Sequence, residues 1–118
     1  MKTSDLQDTA LDWAVAEAEK TDVRLVRTKK GSPLHVCKVD ATGSTCGVYS
    51  PSTRWDTGGP IVERERISLQ GQKKMWWASY QPSISEFGGP APLIAAMRCY
   101  VASKLGEEVE VPKELVRS

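Results

Sequence analysis

The sequence predicts an α+β fold: a small, mostly antiparallel sheet with two main helices and one short helix packed on it. Three observations lead there. Apolar residues recur at helical spacing near both ends of the chain. Between them lie short β-branched runs that alternate at period two. Gly- and Pro-containing breaks separate these runs, giving the order helix, two or three strands, short helix, strand, helix, tail. At 118 residues the chain is read as one domain, 1–118.

The first helix is expected from Ser4 to Glu19. Ser4 with Gln7 three residues on reads as a capping box, and Asp5 and Asp8 suit the positive end of a helix. Leu6, Ala10, Trp13 and Ala14 share a face, widened by Leu11, Val15 and Ala18. Asp22 to Lys29 reads as a strand, Lys29-Lys30-Gly31-Ser32 as a turn, and Leu34 to Val39 as the returning strand of an antiparallel hairpin. Cys46 to Tyr49 is a further short extended piece.

From Ser50 to Gly59 the periodicity stops, which reads as a hydroxyl-rich loop holding Trp55. Pro60 then stands where a first helical residue belongs, opening a short helix through Arg66, with a strand as the alternative. Gln70-Gly71-Gln72 reads as a break. Met75 to Tyr80 reads as a strand, so Trp76 and Trp77 face opposite ways and one of them is expected in the core. The last helix runs from Pro90 or Pro92 to Leu105, with Gly106 as its terminating glycine. Val109, Val111, Leu115 and Val116 form a tail able to pack back on the body.

Composition bounds the function. With 16 Lys+Arg against 15 Asp+Glu there is no basic excess for non-specific binding to a nucleic-acid backbone. No apolar run approaches the ~20 residues that span a bilayer. There is no signal-peptide pattern, and three cysteines (Cys37, Cys46, Cys99) make an odd count, so a reducing cytosol is expected and all three read as small buried residues. No metal-ligand spacing and no cofactor motif is present. The only His is His35, in a strand pattern without a neighbouring carboxylate, so an enzyme is the weakest reading. Four of the eight aromatic residues are Trp, and Trp55 is the one that no packing pattern explains.

Two stretches echo each other: Trp55 followed by Gly58-Gly59-Pro60-Ile61-Val62, and Phe87 followed by Gly88-Gly89-Pro90. Paired glycines permit close approach, and proline pre-sets a helix start whose free N–H groups attract anions. The plain alternative is that each motif only turns the chain into a helix.

Tyr49-Ser50-Pro51-Ser52-Thr53 with Trp55 and Gly58-Gly59-Pro60-Ile61-Val62-Glu63-Arg64-Glu65 is similar to the NinX family of lambdoid phages. So is Pro92-Leu93-Ile94-Ala95-Ala96-Met97-Arg98-Cys99-Tyr100-Val101. The resemblance implies a small phage accessory protein and carries no activity with it. Arg54 stands where the family often has an acidic residue.

The leading functional reading is a non-enzymatic protein binding a small nucleotide-like ligand, one that sequesters a host immune signalling nucleotide. Tyr49, Ser52, Thr53, Trp55, Gly58, Gly59, Glu63 and Arg98 would build its site, with a base stacked on Trp55 helped by Trp76 or Trp77. A homodimer or higher homo-oligomer in the host cytosol is expected. One alternative is a protein-interaction module docking through the loop from Tyr49 to Trp55. Another is a nucleic-acid surface joining Arg24, Arg27, Lys29, Lys30 and Lys38 to Trp76, Trp77 and Tyr80.

Overall fold

The structure, a computed structural model, describes residues 1–27, 34–80, 86–112 and 115, and of Cys46 only the backbone. Among the described residues three α-helices and six strands follow in the order α1 (Asp8–Glu19), β1 (Val23–Val26), β2 (His35–Val39), β3 (Thr45–Val48), α2 (Trp55–Glu65), β4 (Ser68–Gln72), β5 (Met75–Ser79), β6 (Glu86–Gly89) and α3 (Pro92–Leu105). The strands form two antiparallel three-stranded sheets, β1-β2-β3 and β4-β5-β6. The fold is α+β, with the strand content divided between two sheets.

α3 is the hub. It packs on all three strands of the second sheet and on α1 and α2. Leu93, Ala96, Met97, Tyr100 and Val101 are buried as their spacing predicts, and Ala95 and Cys99 are buried too. A helix covered on several sides is apolar nearly all round. Leu6, Leu11 and Val15 meet it from the N-terminal side, while Val36 and Ala78 bring in the two sheets. Trp13 sits half-buried at the edge of this core.

The first helix begins later than expected. Thr3–Asp5 is a 3-10 turn, Leu6 and Gln7 are extended, and α1 starts at Asp8 with no side-chain cap. The Ser4–Gln7 capping box does not form, because this segment is held elsewhere. The Thr3 N–H donates to the Glu107 carbonyl (2.8 Å), and Thr3 Oγ1 to that of Gly106 (2.7 Å). Met1 and Val109 exchange backbone hydrogen bonds. The chain's start is thereby paired with the segment after α3, where Val109 and Leu115 are buried. Val116 lies outside the described residues.

The first hairpin has the expected pairing, with Leu25 opposite Val36 and Val26 opposite His35. Its turn residues Lys29, Lys30, Gly31 and Ser32 lie outside the described residues. Two strands were not legible. Gln70-Gly71-Gln72 belongs to β4, and Phe87-Gly88-Gly89 to β6. Glycine disfavours strands, but here each Trp of β5 lies across a glycine of a neighbouring strand. Trp76 is paired with Gly71 and Trp77 with Gly88. A Cβ at Gly71 would lie 3.3 Å from the Trp76 ring, and one at Gly88 would lie 3.0 Å from that of Trp77. The indole covers the backbone that glycine leaves bare. The two Trp side chains do point to opposite faces, but neither is core: Trp77 is half-buried and Trp76 is 36% exposed.

Candidate functional site

The segment 49–54 connects β3 to α2 and is pinned from beneath. Tyr49 is buried, and its phenol is pushed up to about 12 by burial and by the nearby Glu19 and Asp12 carboxylates. Ser52 is 2% exposed, and its backbone N–H donates to Asp12 Oδ1 at 2.9 Å. The Ser52 hydroxyl lies against the same carboxylate without completing a hydrogen bond of full geometry. Burial raises the Asp12 carboxyl to about 6, against an ordinary value of 3.8, with the Ser52 contacts opposing the rise. Asp12 was missed in the sequence. The available signal was a carboxylate between Leu11 and the buried Val15–Ala16 turn, on the apolar side of α1.

The helix after this segment starts at Trp55, five residues before Pro60. Arg54 is extended, and its carbonyl accepts the N–H groups of Thr57 and Gly58. Gly58-Gly59-Pro60 therefore lies inside α2, and Pro60 is not the first helical residue. Local propensity opposes this, since an interior proline costs ~3 kcal/mol. Tertiary packing overrides it. A Cβ on Gly58 would fall 2.2 Å from the Pro51 carbonyl oxygen and 2.9 Å from Leu93 Cδ2. Gly58 is thus the point where α2 meets both its own lead-in and the first turn of α3. Gly89 plays a parallel part at the end of β6, where a Cβ would lie 2.9 Å from Ala95 N. Both motifs use one glycine to approach the start of α3, one from within a helix and one from a strand.

Trp55, Gly59 and Glu63 stand at i, i+4 and i+8 on α2 and so share a face. Trp55 is 54% exposed, and its indole leans toward Gly59, where a Cβ would lie 3.5 Å from Trp55 Cε3. Glu63 is exposed two turns further on. Thr53 and Arg54 are exposed at the same end of the helix, and Arg54 pairs with Asp56 (2.7 Å) in open solvent. Tyr49, Ser52 and Gly58 point inward and hold this face in place. Arg98 is not brought to it. Its Nε donates to the Leu6 carbonyl (2.7 Å) and its Nη1 to the Gly88 carbonyl (2.8 Å), clamping the N-terminal segment to β6.

Glu65 faces away from this strip, toward a network that joins α1, α2 and α3 with Tyr80 just past the end of β5. Arg64 forks onto Glu19, with Nη1 at 3.1 Å and Nη2 at 2.5 Å, and donates from Nε to Glu65 (2.8 Å). Tyr100 donates its hydroxyl to Glu19, and Tyr80 to Glu65 (2.7 Å). Burial works against the Glu19 anion, but hydrogen bonds from Arg64 and Tyr100 hold it below the ordinary glutamate value. Tyr80 is thus occupied, and the basic first hairpin lies in a different sheet from Trp76 and Trp77. Cys37 and Cys99 are buried free thiols, and burial pushes that of Cys99 up to about 11. Among the described residues no three His, Cys, Asp or Glu side chains assemble a metal site, and no helix is long and apolar enough to cross a membrane.

A family model described as Bacteriophage P22, NinX matches residues 2–104. No curated protein matches the chain.

Proposed function

The chain belongs to the bacteriophage NinX family, and from that premise we propose that this phage accessory protein binds a small nucleotide-like ligand on the exposed face of α2. The observation that supports this reading is the alignment of Trp55, Gly59 and Glu63 on one solvent-facing strip. A half-free indole offers a face on which a base stacks. Glycine at the next turn lets the ring and a ligand come close to the helix backbone. Glu63 accepts hydrogen bonds from ribose hydroxyls or from a base edge. Thr53 and Arg54 supply polar contacts at the helix start, with Tyr49, Ser52 and Gly58 fixing their position from behind. The protein acts as a sink: it binds and withholds a host immune signalling nucleotide in the host cytosol, as a homodimer and without catalysis.

Equilibrium binding to cyclic nucleotides and ADP-ribose-type nucleotides tests the proposal. Saturable binding that is lost in Trp55→Ala is expected. Absence of both heat and thermal shift with every member of such a panel would overturn it.

A second reading is favoured by a specific feature of the same face. Thr53, Arg54 and Trp55 protrude together while Tyr49 and Ser52 anchor their loop. Trp and Arg dominate interface hot spots. A host protein recovered in stoichiometric amount by the wild type, and lost with Trp55→Ala, would identify a docking module instead.

A further inference from the structure

We propose that the outer groove of the β4–β5 hairpin binds a nucleotide unit, its base on Trp77 and its phosphate between Lys73 and Lys74. The inference goes beyond the α2 reading: it is a second nucleotide-binding surface, separate from that of Trp55, and it rests on that reading only for the class of ligand. The second sheet has two unlike faces. Leu69, Ala78 and Phe87 face the core and α3. Strand alternation turns Met75 and Trp77 the other way, with Gln70 and Gly88 directly beside Trp77. A groove on this side is lined by Gln72, Lys73, Lys74, Met75 and Trp77.

Its floor is built by the glycine at position 88. A Cβ there would lie 3.0 Å from the Trp77 ring and 3.2 Å from Met75 Cε. The indole therefore packs against the β6 backbone at Gly88, with the Met75 methyl against the same spot. Its two neighbours at the hairpin tip are cations. Lys73 has φ 52°, a left-handed conformation that Asn or Gly adopts with less strain. Lys73 and Lys74 are exposed and make no ion pair among the described residues.

The opposite end of the same face carries Glu86, paired across from Ser79 and about 7 Å along the strand from the Trp77 row. Charge thus runs from positive to negative across one aromatic ring. An anion is drawn to the hairpin tip, and a hydrogen-bond donor to Glu86. A nucleotide carries a phosphate, a ribose and then a planar base whose outer edge bears N–H donors, in that order. A second phosphate past the ring would meet Glu86, so the groove favours one unit over a long strand. Trp77 faces away from α3 while α2 packs on α3, so Trp55 and Trp77 do not share one ligand.

The indole N–H signals of the four tryptophans distinguish the sites in one NMR titration with ATP, ADP-ribose, a cyclic dinucleotide and oligothymidylate. The groove predicts a saturable shift of the Trp77 signal. It also predicts at least tenfold weaker binding in Lys73→Ala/Lys74→Ala, and a smaller loss in Glu86→Gln, which keeps an acceptor but gives up the charge. The lysine variant leaves the sheet's packing untouched, so its loss of binding is not a folding effect. A Trp77 shift with the free nucleotides supports the groove; one with oligothymidylate alone contradicts the exclusion of a strand by Glu86 and overturns the proposal. A shift confined to Trp55 overturns the groove and leaves the α2 reading standing. No indole shift with any probe overturns both.

Discussion

Asp12 is a carboxylate held under conditions that disfavour its charge. It is 7% exposed, its acceptor oxygen takes the Ser52 N–H, and burial raises it to about 6. Because the folded value lies above the ordinary one, the folded state binds the proton more tightly. The associated stability is fully present below about pH 4 and is lost as the pH rises through about 6, a difference of about 3 kcal/mol. Asp12→Asn keeps an acceptor for Ser52 and removes the charge. It is expected to raise the melting temperature at pH 7–8 and to flatten the profile between pH 4 and 7. Denaturation followed across that range checks this, and an unchanged profile would contradict it. Glu19 and Glu65 have the opposite sign. Their values lie below the ordinary 4.5, so their contribution is present above that pH and lost below it. Trp55 is expected to behave differently from all three. At 54% exposure, Trp55→Ala should change stability by no more than ~0.5 kcal/mol while removing ligand binding.

α2 exists against its own composition. Two glycines and a proline in eleven residues give a poor helix in isolation, and the helix is set by where Gly58 must sit. Gly58→Ala forces its Cβ onto the Pro51 carbonyl and is expected to destabilise by about 3 kcal/mol. Chemical denaturation measures it; a neutral result would show that α2 is not seated on the Pro51 carbonyl and Leu93. This explains why the sequence placed the helix start at Pro60. Proline and glycine signal local preference, whereas the deciding contacts come from Pro51 and Leu93, the latter 35 positions further along the chain. α3 was readable because its burial is written in its own residues from Leu93 to Val101; Leu105, on the same expected face, is 38% exposed at the helix end. β4 and β6 were hidden for the same reason α2 was shifted: Gly71 and Gly88 look like breaks until the Trp residues of β5 are laid across them. The exposed placement of Trp55 agrees with the lack of an apolar pattern around it. The inward turn of Ser52 has no such local signal, because its partner Asp12 lies 40 residues away.

Three long-range ties close the molecule around α3. The chain's start pairs with the segment after α3. Arg98 holds that start against β6 through two carbonyls. The Glu19–Arg64–Tyr100 cluster joins α1, α2 and α3, with Tyr80 and Lys104 completing it through Glu65. Tyr100→Phe removes the hydroxyl that Glu19 accepts and is expected to cost about 2 kcal/mol, with Glu19 moving up toward its ordinary value. NMR titration of the Glu19 carboxyl reads that movement, and no change would place Tyr100 outside the cluster. These ties hold the exposed strip of α2 on a frame that Trp55 itself does not support, so Trp55→Ala is expected to separate the proposed binding from folding. The most direct test is calorimetric titration of wild type and Trp55→Ala with cyclic and ADP-ribose-type nucleotides. Saturable binding at α2 to at least one of them is expected, and that component is lost in a variant whose melting temperature is unchanged. Equal binding by the two proteins, or binding by neither, would contradict the α2 reading.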